Sequence, residues 1–236
     1  MEIKEFFYKV KEWDQKLLLK YNGIGGSILT YILKFISFFG RETIWLLILA
    51  YFLFIWYDPF LLINFGTTFL MGLCLIVPFK EGIKRPRPFE IMPNVKLLER
   101  KQKSGSFPSW HCYNIMSQGL LISFLSNSLF LMIFFIFFTI LISFSRIYLG
   151  VHYPSDVLIG SLLGILGFML SYFIFAPLFY EIIIYLERFS VHTIYYKQLN
   201  PQIFTEPWYT ILCIGVFTAI IFSALFKVFE NKFFRK

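Results

Sequence analysis

The sequence predicts an all-α integral membrane protein, organised as a multi-pass bundle of transmembrane helices. Hydrophobic residues make up 58% of the 236 residues, and the mean hydropathy is +0.68. A soluble domain of this length cannot bury so much apolar surface. Several uncharged runs reach 20 residues or more, about the length that an α-helix needs to cross the hydrocarbon core. We therefore expect six transmembrane helices, or seven if residues 27–39 also cross.

The N-terminal part of the chain has the pattern of an interfacial region. Residues 1–20 interleave aromatic and aliphatic side chains with five lysines, which is typical of a helix lying in the plane of the interface. They lack the apolar core of a cleavable signal peptide, so none is expected. Residues 27–39 are apolar except for Lys34 but short for a span, which favours a second interfacial or half-inserted helix over a transmembrane one.

The first two predicted spans lead into a basic loop. Residues 44–57 are uncharged and end at Asp58, and residues 60–79 form an uncharged run of 20 that ends at Lys80. The segment from Lys80 to Lys103 carries eight Lys or Arg residues and three Glu, and so holds most of the net charge of +8. This loop is expected to bind anionic lipid head groups or, alternatively, to anchor the protein by the positive-inside rule.

A run of 34 uncharged residues, 112–145, predicts a helical hairpin. As one helix it would be about 51 Å long, against a hydrocarbon core of about 30 Å, so it must contain two spans. The polar residues 126–128 supply the turn. Two further spans, at residues 157–180 and 207–226, flank an interfacial segment at residues 181–206.

Three polar motifs interrupt this apolar chain, and the hairpin topology places all of them on one face of the membrane. The motifs are Lys80-x6-Arg87-Pro88, Pro108-Ser109-Trp110-His111 and Ser145-Arg146-x5-His152-x3-Asp156. Charged residues at a membrane edge are costly, so their presence indicates a functional site. Lys80, Arg87 and Arg146 are three cations suited to the spread negative charge of a phosphoryl group.

The prolines and the Ser109 hydroxyl extend this phosphate pattern. We expect Pro108 and Pro154 to lie in the first turns of two helices, whose free N–H groups then face one pocket. Helix N-termini bind phosphate readily, and Ser109 can add a further donor.

Two histidines divide the predicted chemistry. His152 and Asp156 are four residues apart, so the carboxylate can hold one ring nitrogen and orient the other as a nucleophile. His111 can protonate the leaving oxygen and then activate water. Two histidines and one aspartate could ligate zinc, but the neighbouring cations oppose it, so we expect neither a metal nor a cofactor.

The three motifs together resemble the signature of the PAP2 superfamily (type 2 phosphatidic acid phosphatases), and the resemblance covers about residues 43–176. It implies a PAP2/haloperoxidase-like helical core at 43–176, preceded by an interfacial region (1–42) and followed by an interfacial segment plus a C-terminal transmembrane helix (177–236). The catalytic residues that it implies are His152 as a phosphohistidine nucleophile, Asp156 as its support and His111 as acid and base. The implied phosphate-binding residues are Lys80, Arg87, Ser109, Trp110 and Arg146.

Trp110 departs from the family pattern, which usually has a small residue between the Ser and the His of the second motif. Its backbone N–H can still donate, while its indole could narrow the pocket or stack on a lipid head group. The resemblance implies a phosphatase acting on a membrane lipid, such as a prenyl diphosphate, phosphatidylglycerophosphate, phosphatidate or lipid A phosphate. Two alternatives stay open: a lipid phosphotransferase, and a silent lipid-binding protein whose pocket Trp110 blocks.

The remaining expectations concern partners, location and residues outside the motifs. The partners are the lipid phosphate and the bilayer, not nucleic acid, and the oligomeric state is not predicted. By family resemblance, the active site lies on the non-cytoplasmic face of the cell membrane. Solvated, lipid-facing or interfacial side chains are expected at Lys84, Arg85, Glu90, Glu99 and His192. The three cysteines lie in or beside apolar runs, which argues against a disulfide framework.

Overall fold

The structure is a computed structural model that describes residues 3–191 and 193–233. The helices of this part of the chain are α1 (Ile3–Tyr21), α2 (Gly26–Phe38), α3 (Glu42–Ala50), α4 (Pro59–Ile83), α5 (Pro88–Ile91), α6 (Trp110–Leu125), α7 (Leu129–Tyr148), α8 (Pro154–Leu170), α9 (Ala176–Glu187), α10 (Gln202–Thr205) and α11 (Pro207–Phe233). Short π-helical segments, Tyr51–Ile55 and Ser171–Phe175, follow α3 and α8.

Five helical stretches within the described residues are long and apolar enough to cross a membrane. They are Gly26–Ile55, Pro59–Ile91, Leu129–Tyr148, Pro154–Glu187 and Pro207–Phe226. The first stretch contains both the segment predicted as interfacial, 27–39, and the first predicted span, 44–57. The two segments are therefore parts of one candidate span.

Helix α6 corresponds to the third of the six predicted spans, and it is not among the five candidate spans. It has 16 residues, and most of them are buried, including polar Asn114, Ser117 and Gln118. A helix that is covered by protein on all sides can carry such side chains, whereas a lipid-facing helix cannot. The predicted hairpin is present, because Ser126 ends α6 and the Ser128 hydroxyl accepts a hydrogen bond from the Leu131 N–H at the start of α7.

The chain divides into two compact units. The first holds the described residues up to Arg41 together with residues 71–168, and the second holds residues 42–70 together with the described residues from 169 onward. In the first unit, α6 packs on α7 and α2 packs on α7. Gly119 makes the α6–α7 contact close, since a Cβ there would lie 2.6 Å from Phe135.

Helix α1 is docked on the first unit through both apolar and polar contacts. Leu18 is completely buried and packs with Val95 and Tyr153. Asn22, just beyond the helix, donates to the carbonyls of Tyr148 (2.9 Å) and Lys96 (3.0 Å). Helix α1 therefore packs against the first unit beside the end of α7 and the start of α8, which carry the third motif.

The second unit has its own polar contacts. An antiparallel bridge joins Trp56 to Leu199, and the Tyr57 hydroxyl donates to the Glu187 carboxylate. Within the helices, the Thr67 and Ser171 hydroxyls lie 2.7 Å apart. None of the residues of the three motifs belongs to this unit.

Candidate active site

All three polar motifs meet inside the first unit. The Ser109 N–H of the second motif donates to the Asp156 carbonyl of the third at 3.0 Å. Arg87 of the first motif places Nη1 at 3.4 Å from His152 Nε2. Five of the predicted site residues are at most 2% exposed: Arg87, Ser109, Arg146, His152 and Asp156. Residues that are far apart in sequence thus form one buried cluster.

A glycine on α8 allows the second and third motifs to meet. Gly160 lies one turn beyond Asp156, and a Cβ at this position would collide with the Ser109 carbonyl oxygen. Gly164, the next residue on the same face, is similarly tight against Met116, at 2.8 Å. The small residues let α8 lie directly on the first turn of α6, which brings Ser109 and His111 close to the start of α8.

His152 lies between a carboxylate and a guanidinium. Its Nδ1 is 3.4 Å from Asp156 Oδ2, which also accepts a hydrogen bond from the Tyr153 N–H at 2.9 Å. Its Nε2 is the nitrogen that faces Arg87. Burial and the nearby cations lower the pKa of His152 well below its usual range, so the ring is neutral at pH 7. Nδ1 makes no hydrogen bond within the described residues, although it lies beside Asp156. A neutral ring keeps on Nε2, toward Arg87, the lone pair that a nucleophile requires.

Lys80 and Arg87 of the first motif bind the loop that precedes the second motif. Lys80 Nζ donates to the Gly105 carbonyl at 2.9 Å. Arg87 donates through Nε to the Ser104 carbonyl (2.9 Å) and through Nη1 to the Val151 carbonyl (2.8 Å). These two cations therefore lie beside His152 and fix the backbone that lines its pocket.

Arg146 is held at one end of its guanidinium. Nη1 donates to the Ser37 hydroxyl at 2.6 Å and to the Glu99 carboxylate, which also pairs with Arg41 at 3.3 Å. The Nε and Nη2 atoms of Arg146 are buried and have no hydrogen-bond partner among the described residues. Buried donors of this kind call for an explanation, and an anion is the group that would satisfy them.

His111 carries another buried nitrogen of this kind. Its Nε2 has no partner within the described part of the chain, and neither does the Ser109 hydroxyl. Gly40, in the turn after α2, covers the ring so closely that a Cβ there would lie 2.7 Å from the His111 Cβ. Its carbonyl accepts a hydrogen bond from Asn114 at 3.0 Å, which fixes the turn on α6.

The charge of the cluster favours a doubly charged anion. Five cations and three carboxylates, all buried or half-buried, belong to it: Lys80, Arg85, Arg87, Arg146 and Arg41, against Asp14, Glu99 and Asp156. Two positive charges are therefore in excess while the histidines are neutral, which matches the charge of a phosphoryl group. Within the described residues, no group of three or more His, Cys, Asp or Glu side chains is arranged to hold a metal ion.

Comparison with known proteins decides the family. The PAP2 superfamily model matches residues 61–180 of this chain, a range that contains all three motifs. The chain belongs to the PAP2 superfamily. An undecaprenyl-diphosphatase of Sulfolobus acidocaldarius is 33% identical over 157 residues, which cover 62% of this chain and 70% of that protein.

Two solved structures have a similar fold. The crystal structure of Aquifex aeolicus LpxE superimposes with a TM-score of 0.60 at 22% identity, covering 67% of this chain and 93% of that one. A transmembrane PAP2 type phosphatidylglycerolphosphate phosphatase from Bacillus subtilis gives a TM-score of 0.53 at 27% identity, with 77% and 90% covered. The predicted family and all-α multi-pass membrane fold are confirmed.

The predictions for two charged residues outside the matched motif positions are wrong. Arg85, expected to be solvated or lipid-facing, donates through Nη1 to Asp156 Oδ1 at 2.7 Å and through Nη2 to Asp14 Oδ2 at 2.7 Å. Glu99, expected to be solvated, is buried against Arg146 and Arg41, which lower the pKa of its carboxyl despite the burial. Their partners lie far away in sequence, so spacing could not predict these pairs.

The structure agrees with the expectations for Lys84, Glu90 and Pro154 but not with the one for Pro108. Lys84 and Glu90 are exposed, as predicted, although the Glu90 carboxylate also accepts from the Arg87 N–H at 2.8 Å. Pro154 is the first residue of α8, as expected, but Pro108 precedes Ser109, the residue that caps α6. The Pro108 expectation was therefore wrong, because α6 begins two residues later. His192 lies outside the described residues.

Trp110 is the first residue of α6, and its indole packs against this helix. Its indole is half-buried and stacks on the ring of Tyr113, one turn further along, with centroids 5.9 Å apart and planes at 28°. Tyr113 in turn lies between Gly72 of α4 and Gly167 of α8. The indole is therefore directed along α6, and the backbone of Trp110 remains at the helix start.

Proposed function

We propose that this chain is a membrane lipid phosphatase that hydrolyses a phosphomonoester or a pyrophosphate of a lipid through a phosphohistidine at His152. One observation carries the proposal. Buried polar atoms of Arg146, Ser109 and His111, which have no partner among the described residues, belong to the same cluster as a neutral His152 whose Nε2 faces Arg87. A phosphoryl group would satisfy the donors and present phosphorus to the nucleophile.

The proposed reaction has two halves. The negative charge of a bound phosphoryl group favours a protonated His111, a ring that is neutral without an anion beside it. In the first half, His152 Nε2 attacks phosphorus, a P–N bond forms, the P–O bond to the lipid breaks, and His111 gives its proton to the leaving oxygen and becomes neutral. In the second, water attacks the phosphohistidine, His111 takes a proton from that water, and the P–N bond breaks to release inorganic phosphate. Arg87 and Arg146 stabilise the charge on the phosphoryl oxygens in both halves, and Asp156 stabilises the positive charge that His152 acquires.

An apolar cavity beside the site supports a lipid as the substrate. Its volume is about 620 Å³, and it is open on one side. Apolar side chains of α1 line one wall and those of α4 and α8 another, among them Phe6, Val10, Ile83, Leu158 and Ile159. Tyr153, the neighbour of His152, also lines it. We propose that the hydrocarbon chain of the substrate lies here, in a space typical of ligand sites.

The candidate substrates are prenyl diphosphates, phosphatidylglycerophosphate, phosphatidate and lipid A phosphates. The relatives support three of these classes, since one is an undecaprenyl-diphosphatase, another a phosphatidylglycerolphosphate phosphatase and a third a lipid A 4'-phosphatase of Bacteroides thetaiotaomicron, which is 29% identical over 179 residues. The proposed chemistry uses no metal, because cations surround both histidines. Activity should then persist in EDTA and fall with vanadate, a phosphate mimic; loss in EDTA that a divalent ion restores would contradict this.

We place the active site on the non-cytoplasmic face, where it would act on lipids of the outer leaflet. A cysteine at Ser104, beside the site, should then react with a membrane-impermeant thiol reagent on intact cells. A cysteine at Asn127, in the α6–α7 turn, should not react, with the native cysteines replaced in both variants. Labelling of the Asn127→Cys variant but not of the Ser104→Cys variant would place the active site on the cytoplasmic face.

The experiment that tests the function is a panel of purified lipid phosphates, one per candidate class, assayed for release of inorganic phosphate. We expect release from at least one class by the wild type and none by His152→Ala. Transfer of label into a second lipid would indicate a phosphotransferase instead. Absence of turnover on every lipid, in folded protein, would favour a silent lipid-binding protein, although the position of Trp110 against Tyr113 gives that alternative no support.

A further inference from the structure

A buried carboxylate of the N-terminal helix reaches the proposed catalytic pair. Asp14 of α1 is completely buried, whereas its neighbour Trp13 is exposed and its neighbour Gln15 is half-buried. Its Oδ2 accepts from Arg85 Nη2 at 2.7 Å and from the Ser155 hydroxyl at 2.6 Å, and its Oδ1 accepts from the Ser155 N–H at 2.8 Å. Such a charge is costly to bury, so its contacts matter for the fold or for function.

Arg85 carries this contact to Asp156. Its Nη1 donates to Asp156 Oδ1 at 2.7 Å and to the Ser155 hydroxyl at 2.8 Å, while the guanidinium lies 4.0 Å from the centre of the Tyr153 ring. Asp156 Oδ2 accepts from the Tyr153 N–H and lies 3.4 Å from His152 Nδ1. Both oxygens of Asp156 are therefore fixed, one by Arg85 and the other by the backbone beside the nucleophile.

The charges of Asp14, Arg85 and Asp156 indicate a role in catalysis as well as in packing. Asp14 and Asp156 share one guanidinium, so the three groups together carry one negative charge. That charge lies beside His152, which becomes cationic when it is phosphorylated. Without Asp14, Arg85 would neutralise Asp156 fully and weaken its stabilisation of the phosphohistidine. Without Arg85, two buried carboxylates would repel each other and Asp156 would lose its orientation.

We propose that Asp14 and Arg85 are positioning residues, which orient Asp156 and set its charge so that it can hold and stabilise His152. This inference rests on the proposed function. It extends the site to α1, outside the three motifs and outside residues 61–180 that the family model matches, since Asp14 lies before that range. The planar fork of Arg suits a bridge between two carboxylates, which a lysine cannot make in the same way.

The test compares Asp14→Asn and Arg85→Gln with the wild type in detergent, using the best substrate of the lipid panel. We expect kcat to fall about 10- to 100-fold in each, with KM within about 2-fold, because neither residue touches the lipid phosphate. The rate of phosphoenzyme formation in a single turnover should fall by the same factor. The double variant should lose little more than either single one, because both act through Asp156.

Matched controls separate positioning from mere docking of α1. Glu5→Gln, on the exposed part of α1, and Lys84→Gln, the exposed neighbour of Arg85, should both keep wild-type kcat. Leu18→Ala weakens the packing of α1 against Val95 and Tyr153 but removes no hydrogen bond or ion pair of the network. It should lower the melting temperature but leave kcat within about 2-fold. Arg85→Lys should recover only part of the kcat lost in Arg85→Gln.

Each outcome decides the proposal. An unchanged kcat in Asp14→Asn and Arg85→Gln would overturn it, as would a loss in Leu18→Ala equal to that in Asp14→Asn, which would show a structural role. If a single variant fails to fold, the Asp14→Asn/Arg85→Gln pair, which removes both charges, takes its place under the same criteria. A wild type that is inactive on every lipid phosphate refutes the proposed function itself, whereas an active wild type with equally active variants refutes this inference alone.

Discussion

Gly160→Ala is expected to disable the site by pushing α8 away from the second motif. A Cβ at Gly160 would collide with the Ser109 carbonyl oxygen and lie 3.1 Å from the Ser109 nitrogen. All of these neighbours are backbone atoms at a helix start, so they cannot rotate away as a flexible side chain could. The Ser109 N–H is also the donor to the Asp156 carbonyl at 3.0 Å, so any shift stretches the link between the two motifs.

The size of the effect follows from this geometry. Overpacking of this kind costs about 1–3 kcal/mol of stability, offset in part by the higher helix propensity of Ala. A displacement of about 1 Å between His111 and His152 would lower kcat about 100-fold, since catalysis depends on near-attack geometry. We therefore expect a modest loss of thermal stability and a large loss of activity.

The assay measures kcat by phosphate release and the melting temperature of the same preparation. Gly82→Ala is the matched control, because Gly82 lies in helix α4 near the first motif and an added Cβ there meets nothing within 4 Å. This control should keep wild-type activity and match or exceed wild-type stability, by up to about 1 kcal/mol. Wild-type kcat in Gly160→Ala would refute the proposed close approach of α8 to Ser109.

Three further predictions concern binding, specificity and pH. Glu99→Gln should raise KM about 10-fold and weaken inhibition by inorganic phosphate, because Arg146 loses the carboxylate that aims its guanidinium; unchanged inhibition would contradict this role. Val10→Trp, which fills part of the apolar cavity, should raise KM for a long-chain substrate but not for a short-chain analogue. Leu129→Trp, at an exposed position, is the control. An equal effect of Val10→Trp on both substrates would exclude the cavity as the site of the hydrocarbon chain. The acid limb of kcat/KM should lie below pH 6.5, the ordinary pKa of histidine, because His152 has a lowered pKa and stays neutral until the pH falls below that pKa. Loss of half of the activity at or above pH 6.5 would contradict this prediction.

Much of the site could be predicted because its residues are grouped in short motifs. Lys80 and Arg87 belong to a recognisable motif, and the four-residue spacing of His152 and Asp156 predicts that the carboxylate can reach the ring before the fold is known. The parity of the α6–α7 hairpin then predicts that the motifs share one face of the membrane. These inferences need only local spacing and the thickness of a bilayer.

The parts that were missed depend on contacts between distant residues. The expectation of a solvated or lipid-facing charge at Arg85 is wrong because its partner Asp14 lies 71 residues away. Glu99 and Ser37 reach Arg146 from a loop and from α2, and nothing in their local sequence indicates this. Asp14 did carry a usable signal, since a carboxylate on the apolar side of an amphipathic helix requires a partner.

Phosphorylation of His152 during turnover can be tested directly. Wild-type protein mixed with a lipid substrate labelled on its transferable phosphate should be trapped as a phosphoenzyme that survives alkali and is lost in acid. We expect this label in the wild type and none in His152→Ala. Label retained by His152→Ala, or turnover of the wild type with no acid-labile phosphoenzyme, would contradict the account.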